Sequence, residues 1–228
     1  MTPNKTPTCI GIIIDGNRRW ATERGCSTYE GHREGSERIK DVVLWAKEAG
    51  VAHLIIYTFS TENWKRSEEE KKYLFEILES AIDTYVQELA PHGVKIRCIG
   101  QRERFSKTFQ EKIHNAEVLT QQHTACTVTF ALSYGGRAEI TSAVNTLRVA
   151  DKKEVTEEDI TNAMWTSGIP DPDIIIRTGG EKRLSGFLPW QSVYAELFFV
   201  DEYWPAFSKE TFTAILSEYG NRERRRGA

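Results

Sequence analysis

The residues best suited to chemistry lie around Asp15, where an apolar stretch gives way to glycine and basic side chains. Ile10–Ile14 is β-branched apart from one glycine, which is typical of a strand buried on both faces. Asp15 therefore falls at the carboxyl end of a predicted strand. Gly16 permits a tight turn, and Asn17 can cap the helix that we expect to follow.

Two arginines, Arg18 and Arg19, fall in the first turn of that helix. Basic side chains there oppose the helix dipole, so stability alone does not favour them. A phosphate at the helix N-terminus would favour them, because free N–H groups and two guanidinium groups would meet one anion. Asp15 beside them could carry a divalent cation. The alternative, a capping aspartate with solvent-facing arginines, stays open from this motif alone.

The composition of the chain is that of one ordinary domain. With 228 residues, 39% of them hydrophobic and 28% charged, it is long enough to bury a substantial core, so we expect a single domain over 1–228. The net charge of −3 argues against a general nucleic-acid binder. No apolar run approaches the roughly 18 residues of a membrane span.

The termini and the cysteines carry little chemistry of their own. Residues 1–8 are polar and lack the apolar core of a signal peptide, so we expect a short disordered lead-in. Residues 221–228 form a basic tail. The absence of CxxC spacing favours reduced thiols in a cytoplasmic protein over a zinc site. The four cysteines are Cys9, Cys26, Cys98 and Cys126.

Strand-like and helix-like segments alternate along the chain. This alternation predicts an α/β fold with a central parallel sheet of about six strands, flanked by helices. Ligands of such sheets bind beyond the carboxyl ends of the strands. The predicted strands are 9–14, 53–59, 95–99, 126–133, 173–177 and 197–200. The predicted helices are 33–49, 67–90 (opened by a capping box of Ser67 and Glu70), 104–121, 137–149, 157–165 and 209–219.

Unusual residues follow three further predicted strands: Ser60–Trp64 after the second, Tyr134–Arg137 after the fourth and Arg177–Ser185 after the fifth. Arginine is the side chain best matched to phosphate oxygens, and neighbouring glycines permit close backbone approach. Several arginines at strand ends favour a phosphate site, and their two groups suggest two phosphorylated ligands or two ends of one. These arginines are Arg18, Arg19, Arg66, Arg177 and Arg183.

The helix after Ser67 carries an apolar stripe at helical spacing. An ordinary core stripe and the wall of an apolar ligand cavity look the same in sequence, and the core stripe is the simpler interpretation. The stripe consists of Leu74, Ile77, Leu78, Ala81, Ile82, Tyr85 and Leu89.

A set of ordered motifs, spanning about Ile12 to Gly227, closely resembles a known family. The motifs are DGNRRWA, GHREG, YTFSTENWKR, SYGGRAEI, IIIRTGGEKRLSGFLPWQ, YAELFF and NRERRRG. They resemble the cis-prenyltransferases (isoprenyl transferases), of which undecaprenyl diphosphate synthase is the best-known bacterial type.

The resemblance implies a homodimer whose subunits each have a parallel sheet with an apolar tunnel beside it. It implies condensation of isopentenyl diphosphate onto an allylic diphosphate with Mg²⁺, forming Z double bonds. The family default is a long polyprenyl diphosphate, such as the undecaprenyl precursor of the cell-wall lipid carrier. A hydrophobic product of this kind would be handed from a cytoplasmic enzyme, peripheral to the membrane, into the bilayer.

The resemblance also implies roles for individual residues. Asp15 would position Mg²⁺ against diphosphate, with Glu196 as a second metal-site carboxylate. Asn63 stands at the proton-accepting position, but an amide is a poor base, so we expect it to orient substrate or relay the proton. The allylic diphosphate would be held by Gly16, Asn17, Arg18, Arg19, His32 and Arg66. The reaction zone would be lined by Trp20, Ser60, Thr61, Glu62 and Trp64. The isopentenyl diphosphate would be held by Arg177, Arg183, Leu184 and Ser185. The partner's site would receive Arg225, Arg226 and Gly227.

The chain departs from the family pattern at a few positions. Thr28 stands where a basic residue is usual, and Gly186, Pro189 and Ala206 replace Asn, an aliphatic residue and an acidic residue. Two positions of the expected tunnel differ in opposite senses. Cys126 is smaller than usual at the floor, and Thr58 is larger than usual near the mouth. The sequence therefore leaves product length open.

The same sequence features bear on several other activities. A short-chain or irregular prenyl diphosphate synthase of the same family is the nearest alternative. A non-catalytic subunit of a prenyltransferase complex is disfavoured because Asp15 and the terminal Arg225–Gly227 motif are both present. A haloacid-dehalogenase-type phosphatase is disfavoured because that class has a second aspartate where this chain has Asn17. A trans-type prenyl synthase is disfavoured because its DDxxD motif is absent.

Overall fold

The computed structural model describes residues 6–150 and 153–222. These residues form one six-stranded sheet, all parallel, in the order β3-β4-β2-β1-β5-β6. The predicted sheet is confirmed, and each strand end lies within one residue of its predicted bound. The strands are β1 (Cys9–Ile13), β2 (His53–Ser60), β3 (Val94–Ile99), β4 (Cys126–Tyr134), β5 (Ile174–Arg177) and β6 (Glu196–Phe199).

Helices connect most of the strands and cover the sheet. In the described part of the chain they are α1 (Asn17–Glu23), α2 (Thr28–Glu48), α3 (Glu68–Leu89), α4 (Lys107–Thr120), α5 (Gly136–Val149), α6 (Glu157–Ala163) and α7 (Lys209–Asn221). None of the helices among the described residues is long and apolar enough to cross a membrane.

The core lies on both sides of the sheet, as the apolar strands require. On one side Ile10 and Ile12 of β1 pack with buried residues of α2, α3, α4 and α7. On the other side Ile13 packs with Tyr57, Phe187 and Leu188, so part of that cover comes from the segment after β5. β1 and β5 are buried along their whole length, which explains their continuous β-branched sequence.

Some helix bounds differ from the prediction for local reasons. α2 begins at Thr28, five residues before the predicted start, because Ser27 and Glu30 form a reciprocal capping box. The helix predicted from residue 104 begins at Lys107, after a short 3-10 helix over Arg102–Arg104.

The capping box predicted for α3 forms only in half. The Glu70 N–H donates to the Ser67 hydroxyl at 3.2 Å, as predicted. The Glu70 carboxylate turns instead to the Arg66 guanidinium, at 2.9 Å. A charged partner outcompetes a backbone N–H, and this places Glu70 at the edge of the candidate site.

The chain joins the fold before the predicted lead-in ends. The Thr8 N–H donates to the Asp173 carboxylate at 2.7 Å, and the Thr8 carbonyl accepts from His53 N–H at 2.9 Å. Any disordered lead-in therefore stops before Thr8. Residues 1–5 and most of the predicted tail, 223–228, lie outside the described residues.

Candidate active site

Predicted site residues from four segments meet in one cavity of about 470 Å³ at the carboxyl ends of the strands. The cavity lies where the chain order reverses, because β1 pairs with β2 on one side and with β5 on the other. Such a switch point is where open α/β sheets bind ligands. The predicted residues that line the cavity are Asp15, Gly16, Asn17, Arg18, Arg19, His32, Ser60, Asn63, Arg66, Arg177 and Arg183.

Asp15 is the most heavily engaged carboxylate of the site. Its Oδ1 accepts from the Gly16 N–H at 2.7 Å and lies 3.3 Å from Arg19, while its Oδ2 accepts from Arg177 at 2.8 Å. Burial alone would raise the pKa of this carboxyl, but hydrogen bonds and charge from Arg177, then Arg19, lower it overall. Asp15 is therefore an anion at neutral pH, as a ligand of a divalent cation must be.

The turn after β1 differs from the prediction in its cap. Gly16, not Asn17, is the N-cap of α1, with φ of 104°. A Cβ at Gly16 would lie 2.7 Å from the Tyr203 ring, so both conformation and space require glycine. The buried Asn17 side chain donates back to the Ile14 carbonyl at 3.0 Å. Its Oδ1 finds no partner among the described residues.

α1 has only seven residues, so a diphosphate here would depend more on guanidinium groups than on a helix dipole. Arg18 and Arg66 form one group of arginines. Both converge on the Glu70 carboxylate of α3, Arg66 at 2.9 Å and Arg18 at 3.8 Å.

Arg19, Arg177 and Arg183 form the second group. Asp15 forms ion pairs with both Arg177 and Arg19. Glu181 forms ion pairs with Arg19, at 3.8 Å, and with Arg183. The sequence placed Arg19 with Arg18, but the structure places it across Asp15 from Arg177. Five arginines face three carboxylates in the two groups together, which leaves two positive charges for anionic ligands.

Arg177 is the buried anchor of the second group, since its side chain is only 5% exposed. Its guanidinium donates to Asp15, to the Ser185 hydroxyl at 2.8 Å and to the Arg183 carbonyl. The planar fork of arginine makes such divergent bonds possible, whereas a lysine ammonium could not span them. Ser185, with φ of 49°, adopts the left-handed backbone to meet it.

His32 lies between the arginines and the apolar side of the cavity. Burial, with positive charge from Arg66 and Arg18, lowers the pKa of its imidazole to about 4. The ring is therefore neutral at pH 7, and its Nε2 has no partner among the described residues. A bound diphosphate would supply the missing partner.

Asn63 and Ser60 lie at the end of β2, as predicted. The Asn63 Oδ1 accepts from the Ser60 N–H at 2.8 Å, which holds the amide at the cavity wall. Its oxygen is thus already engaged, and its NH₂ group remains as a donor. This arrangement suits orientation of a substrate better than acceptance of a proton.

Other predicted residues of the same loop do not meet in the cavity. Trp64 packs against Phe59, Phe75 and Phe105, and its indole N–H donates to Ser133 at 2.8 Å.

The neighbours of Trp64 are also directed elsewhere. Thr61 lies against the backbone of Gly135, where a Cβ would come within 2.6 Å of its hydroxyl. The Glu62 side chain is 70% exposed and pairs with Lys65 at 2.7 Å.

Three more predicted residues lie away from the cavity. The Trp20 ring stacks under the Arg24 guanidinium at 4.5 Å. Leu184 packs against the part of the core that contains Ile13, Tyr57 and Phe187. Glu196 lies at the amino end of β6 and pairs with Arg222. Since its register partner is Ile174 and that of Arg177 is Phe199, Glu196 lies about 10 Å along the strands from the level of Arg177. Arg225 and Gly227 are outside the described residues.

The donor set of the cavity fits a magnesium ion that arrives with its substrate. No cluster of three or more His, Cys, Asp or Glu side chains could hold a metal within residues 6–150 and 153–222. Mg²⁺ is commonly held by one or two carboxylates together with water and substrate phosphates. The ionised Asp15 provides one such carboxylate.

Sequence reasoning missed the two carboxylates that organise the arginines. Glu181 lies in the RTGGEKR motif, directly after β5, so its place at a strand end was a usable signal. Glu70 carried no such signal, because its capping position at the start of α3 explained its presence. Tyr57 was also missed; it lines the cavity, and its hydroxyl donates to the Ser185 carbonyl at 3.4 Å.

Comparison with known proteins points to one family. A family model described as "Putative undecaprenyl diphosphate synthase" matches residues 13–227. An isoprenyl transferase of Streptococcus pneumoniae is 43% identical over 235 residues, covering 99% of this chain and 93% of the relative. A ditrans,polycis-undecaprenyl-diphosphate synthase of Micrococcus luteus, named as specific for (2E,6E)-farnesyl diphosphate, is 39% identical over 227 residues, covering 97% and 91%.

Solved structures match over nearly the whole chain. Lavandulyl diphosphate synthase from Lavandula x intermedia, solved with dimethylallyl diphosphate, has a TM-score of 0.94 at 31% identity, covering 98% of this chain and 99% of the other. A "probable undecaprenyl diphosphate synthase" from Campylobacter jejuni has a TM-score of 0.84 at 32% identity, covering 98% and 100%. Sequence and fold thus agree, and the chain belongs to the isoprenyl transferase family of prenyltransferases.

Proposed function

We propose that this protein condenses isopentenyl diphosphate with an allylic diphosphate primer to form a Z-configured polyprenyl diphosphate, with Mg²⁺ as cofactor. The observation that carries the proposal is the presence of two arginine groups, one paired with Glu70 and one built around Asp15, in one cavity at the switch point of the sheet. One group suits each of two diphosphates.

The arginines would stabilise the diphosphate as it leaves the primer. When the allylic C–O bond breaks, the leaving diphosphate takes the bonding electrons and gains negative charge. Arg18, Arg66 and the polar Asn17 line the cavity and would stabilise that charge from positions fixed before the reaction. A magnesium ion held by Asp15 would neutralise more of the charge.

The second group would hold isopentenyl diphosphate through Arg177, Arg183 and Ser185. Its double bond would attack the allylic carbon, forming the new C–C bond, and a proton would leave the isopentenyl unit. Asn63 would orient that unit, and the released diphosphate or a water molecule would take the proton. Each added five-carbon unit gains on the order of 4 kcal/mol from burial.

The proposal also covers the oligomeric state of the enzyme and its location in the cell. We expect a homodimer, because exposed apolar side chains flank the edge strand β6, among them Val193 (70% exposed) and Tyr194 (72% exposed). The tail with Arg225 and Gly227 would then enter the partner's site. We expect a cytoplasmic enzyme that releases its hydrophobic product into a membrane.

The test is incubation of purified protein with Mg²⁺, labelled isopentenyl diphosphate and, separately, dimethylallyl, geranyl or farnesyl diphosphate. We expect butanol-extractable labelled lipid with a Z double bond by NMR, lost with EDTA and lost in Asp15→Ala. A folded wild-type protein that yields no labelled lipid from any primer contradicts the proposal.

A second candidate is an irregular condensation of two allylic units. The observation in its favour is the TM-score of 0.94 with lavandulyl diphosphate synthase. Dimethylallyl diphosphate alone, without isopentenyl diphosphate, separates the two. Product from this single substrate supports the irregular reaction, and product only with both substrates supports regular chain elongation.

A further inference from the structure

A small apolar cavity of about 50 Å³ lies beside the arginine-lined one, between α2, α3 and the sheet. The two cavities share lining residues, among them Ile14, Thr58 and Phe59, so a ligand could enter the small cavity from the larger. Tyr85 of α3 and Ser36 of α2 are among the residues that line only the small cavity, so they lie away from the arginines.

Tyr85 is held there by three elements. Its hydroxyl lies 2.9 Å from the Ser36 hydroxyl and donates to the Ser36 carbonyl at 3.1 Å. Its ring stacks on Phe130 of β4, with centroids 5.0 Å apart and planes 9° apart. Tyr85 is only 4% exposed. Tyr85 therefore joins α2, α3 and the sheet.

The size of the small cavity is informative. An apolar cavity of about 150 Å³ accommodates benzene, a six-carbon ring. The 50 Å³ here is a third of that volume, less than a five-carbon unit needs. A hydrocarbon tail that grows inward from the arginines therefore meets the Tyr85 ring almost at once.

Two other positions, Cys126 and Thr58, were expected from the sequence to limit the length of the hydrocarbon tail. Cys126 lies at the amino end of β4, the opposite end of the strand from the arginine-lined cavity. Thr58 lines both cavities, so it narrows the entrance to the small cavity rather than closing its end. Tyr85 stacks on Phe130, whose position in β4 lies between these two levels.

We propose that Tyr85 is the floor of the hydrocarbon site and the residue that sets the length of the tail it accepts. The inference rests on the proposed function and adds a specificity-determining residue to it. The Ser36 hydroxyl and carbonyl hold the phenol across the path of the tail, and Phe130 supports the ring from behind.

Three variants test the proposal. Tyr85→Ala removes the floor. Tyr85→Phe keeps the ring but loses the bonds to Ser36. Leu89→Ala is the matched control, because Leu89 is fully buried one turn further along α3 and does not line either cavity. Tyr85→Leu replaces Tyr85→Ala if circular dichroism shows that the alanine variant does not fold.

Two readouts are needed. Calorimetry compares the affinities for dimethylallyl and farnesyl diphosphate without turnover, and mass spectrometry gives product length. In Tyr85→Ala we expect the affinity ratio to shift at least tenfold toward farnesyl diphosphate and the main product to lengthen by at least one five-carbon unit. Tyr85→Phe and Leu89→Ala should shift the ratio less than threefold.

The outcomes separate this inference from the proposed function. A folded Tyr85→Ala protein with the wild-type affinity ratio and product length overturns the role of Tyr85 while leaving the condensation intact. If the wild-type protein makes no product, the proposed condensation fails, and the affinity ratio alone decides whether Tyr85 limits the tail.

Discussion

The charged rim of the site and its apolar interior are built in different ways. The rim takes its residues from segments that directly follow strands, such as Asp15 after β1 and Arg177 at the end of β5. The interior depends on side chains from the middle of helices, since Tyr85 of α3 meets Ser36 of α2. The rim is thus determined by which residues end neighbouring strands of the sheet, and the interior by how the helices pack on the sheet.

The two regions also differ in how they tolerate change. Rim side chains bind through charge and direction, so we expect even conservative substitutions to lower turnover. The interior excludes space, so we expect substitutions there to alter which substrate fits.

The largest effect should follow from Asp15→Asn. The amide keeps the size of the side chain but removes the charge that would hold Mg²⁺ and that pairs with Arg177 and Arg19. We expect kcat/KM to fall about 10³-fold, as when charge stabilisation of a leaving group is lost. Steady-state assays at saturating Mg²⁺ measure this. A loss below tenfold would show that the rim does not depend on this carboxylate.

Arg177→Lys should have the next largest effect. Lysine keeps the charge but cannot bond Asp15, Ser185 and the Arg183 carbonyl together. We expect about a 10²-fold loss of kcat/KM, because a displaced group misaligns the reacting atoms. Lys182→Arg on the exposed side of the same loop is the control and should stay near wild-type activity. Equal losses in both variants would contradict the assigned role of Arg177.

His32 should make stability depend on pH. The pKa of its imidazole is about 4 in the folded protein, below the ordinary value of 6.5, so the unfolded chain binds more protons between these two pH values. Stability should therefore fall as the pH drops from 6.5 to 4, by on the order of 3 kcal/mol in all. His32→Asn should remove this slope in urea unfolding series at pH 7 and pH 4.5. The same slope in both proteins would contradict the buried, neutral imidazole.

The smallest effect should come from Glu62→Gln. The family resemblance placed Glu62 in the reaction zone, but the side chain is 70% exposed and pairs with Lys65 on the surface. Exposed ion pairs contribute little to stability. We therefore expect kcat/KM to change less than about twofold and the melting temperature to change less than about 1 °C. A loss of kcat/KM above tenfold would show that Glu62 takes part in the reaction zone after all.

Much of the fold could be predicted because local patterns and tertiary structure agree. The apolar segments formed the six strands, and the strand-end rule placed Asp15, Asn63 and Arg177 in one cavity. Where two local roles competed, the prediction was wrong. Asn17 had the type of a cap, but Gly16 takes the cap and Asn17 turns inward to Ile14.

The remaining differences have a tertiary cause. Trp64 stands beside Asn63 in sequence, yet the 3-10 turn over Thr61–Lys65 directs it into an aromatic cluster. The apolar stripe of α3 did not distinguish a core from a cavity wall, and the structure shows both. Tyr85 and Leu74 line the small cavity, while Leu89 is fully buried in the core.

We propose that the two arginine groups hold two different diphosphates. Steady-state kinetics of Arg66→Ala and Arg183→Ala, with both substrates varied, test it most directly. We expect Arg66→Ala to raise KM for the allylic diphosphate at least tenfold with little change for isopentenyl diphosphate, and Arg183→Ala to do the reverse. Variants that both raise KM for the same substrate would contradict the division of the rim into two sites.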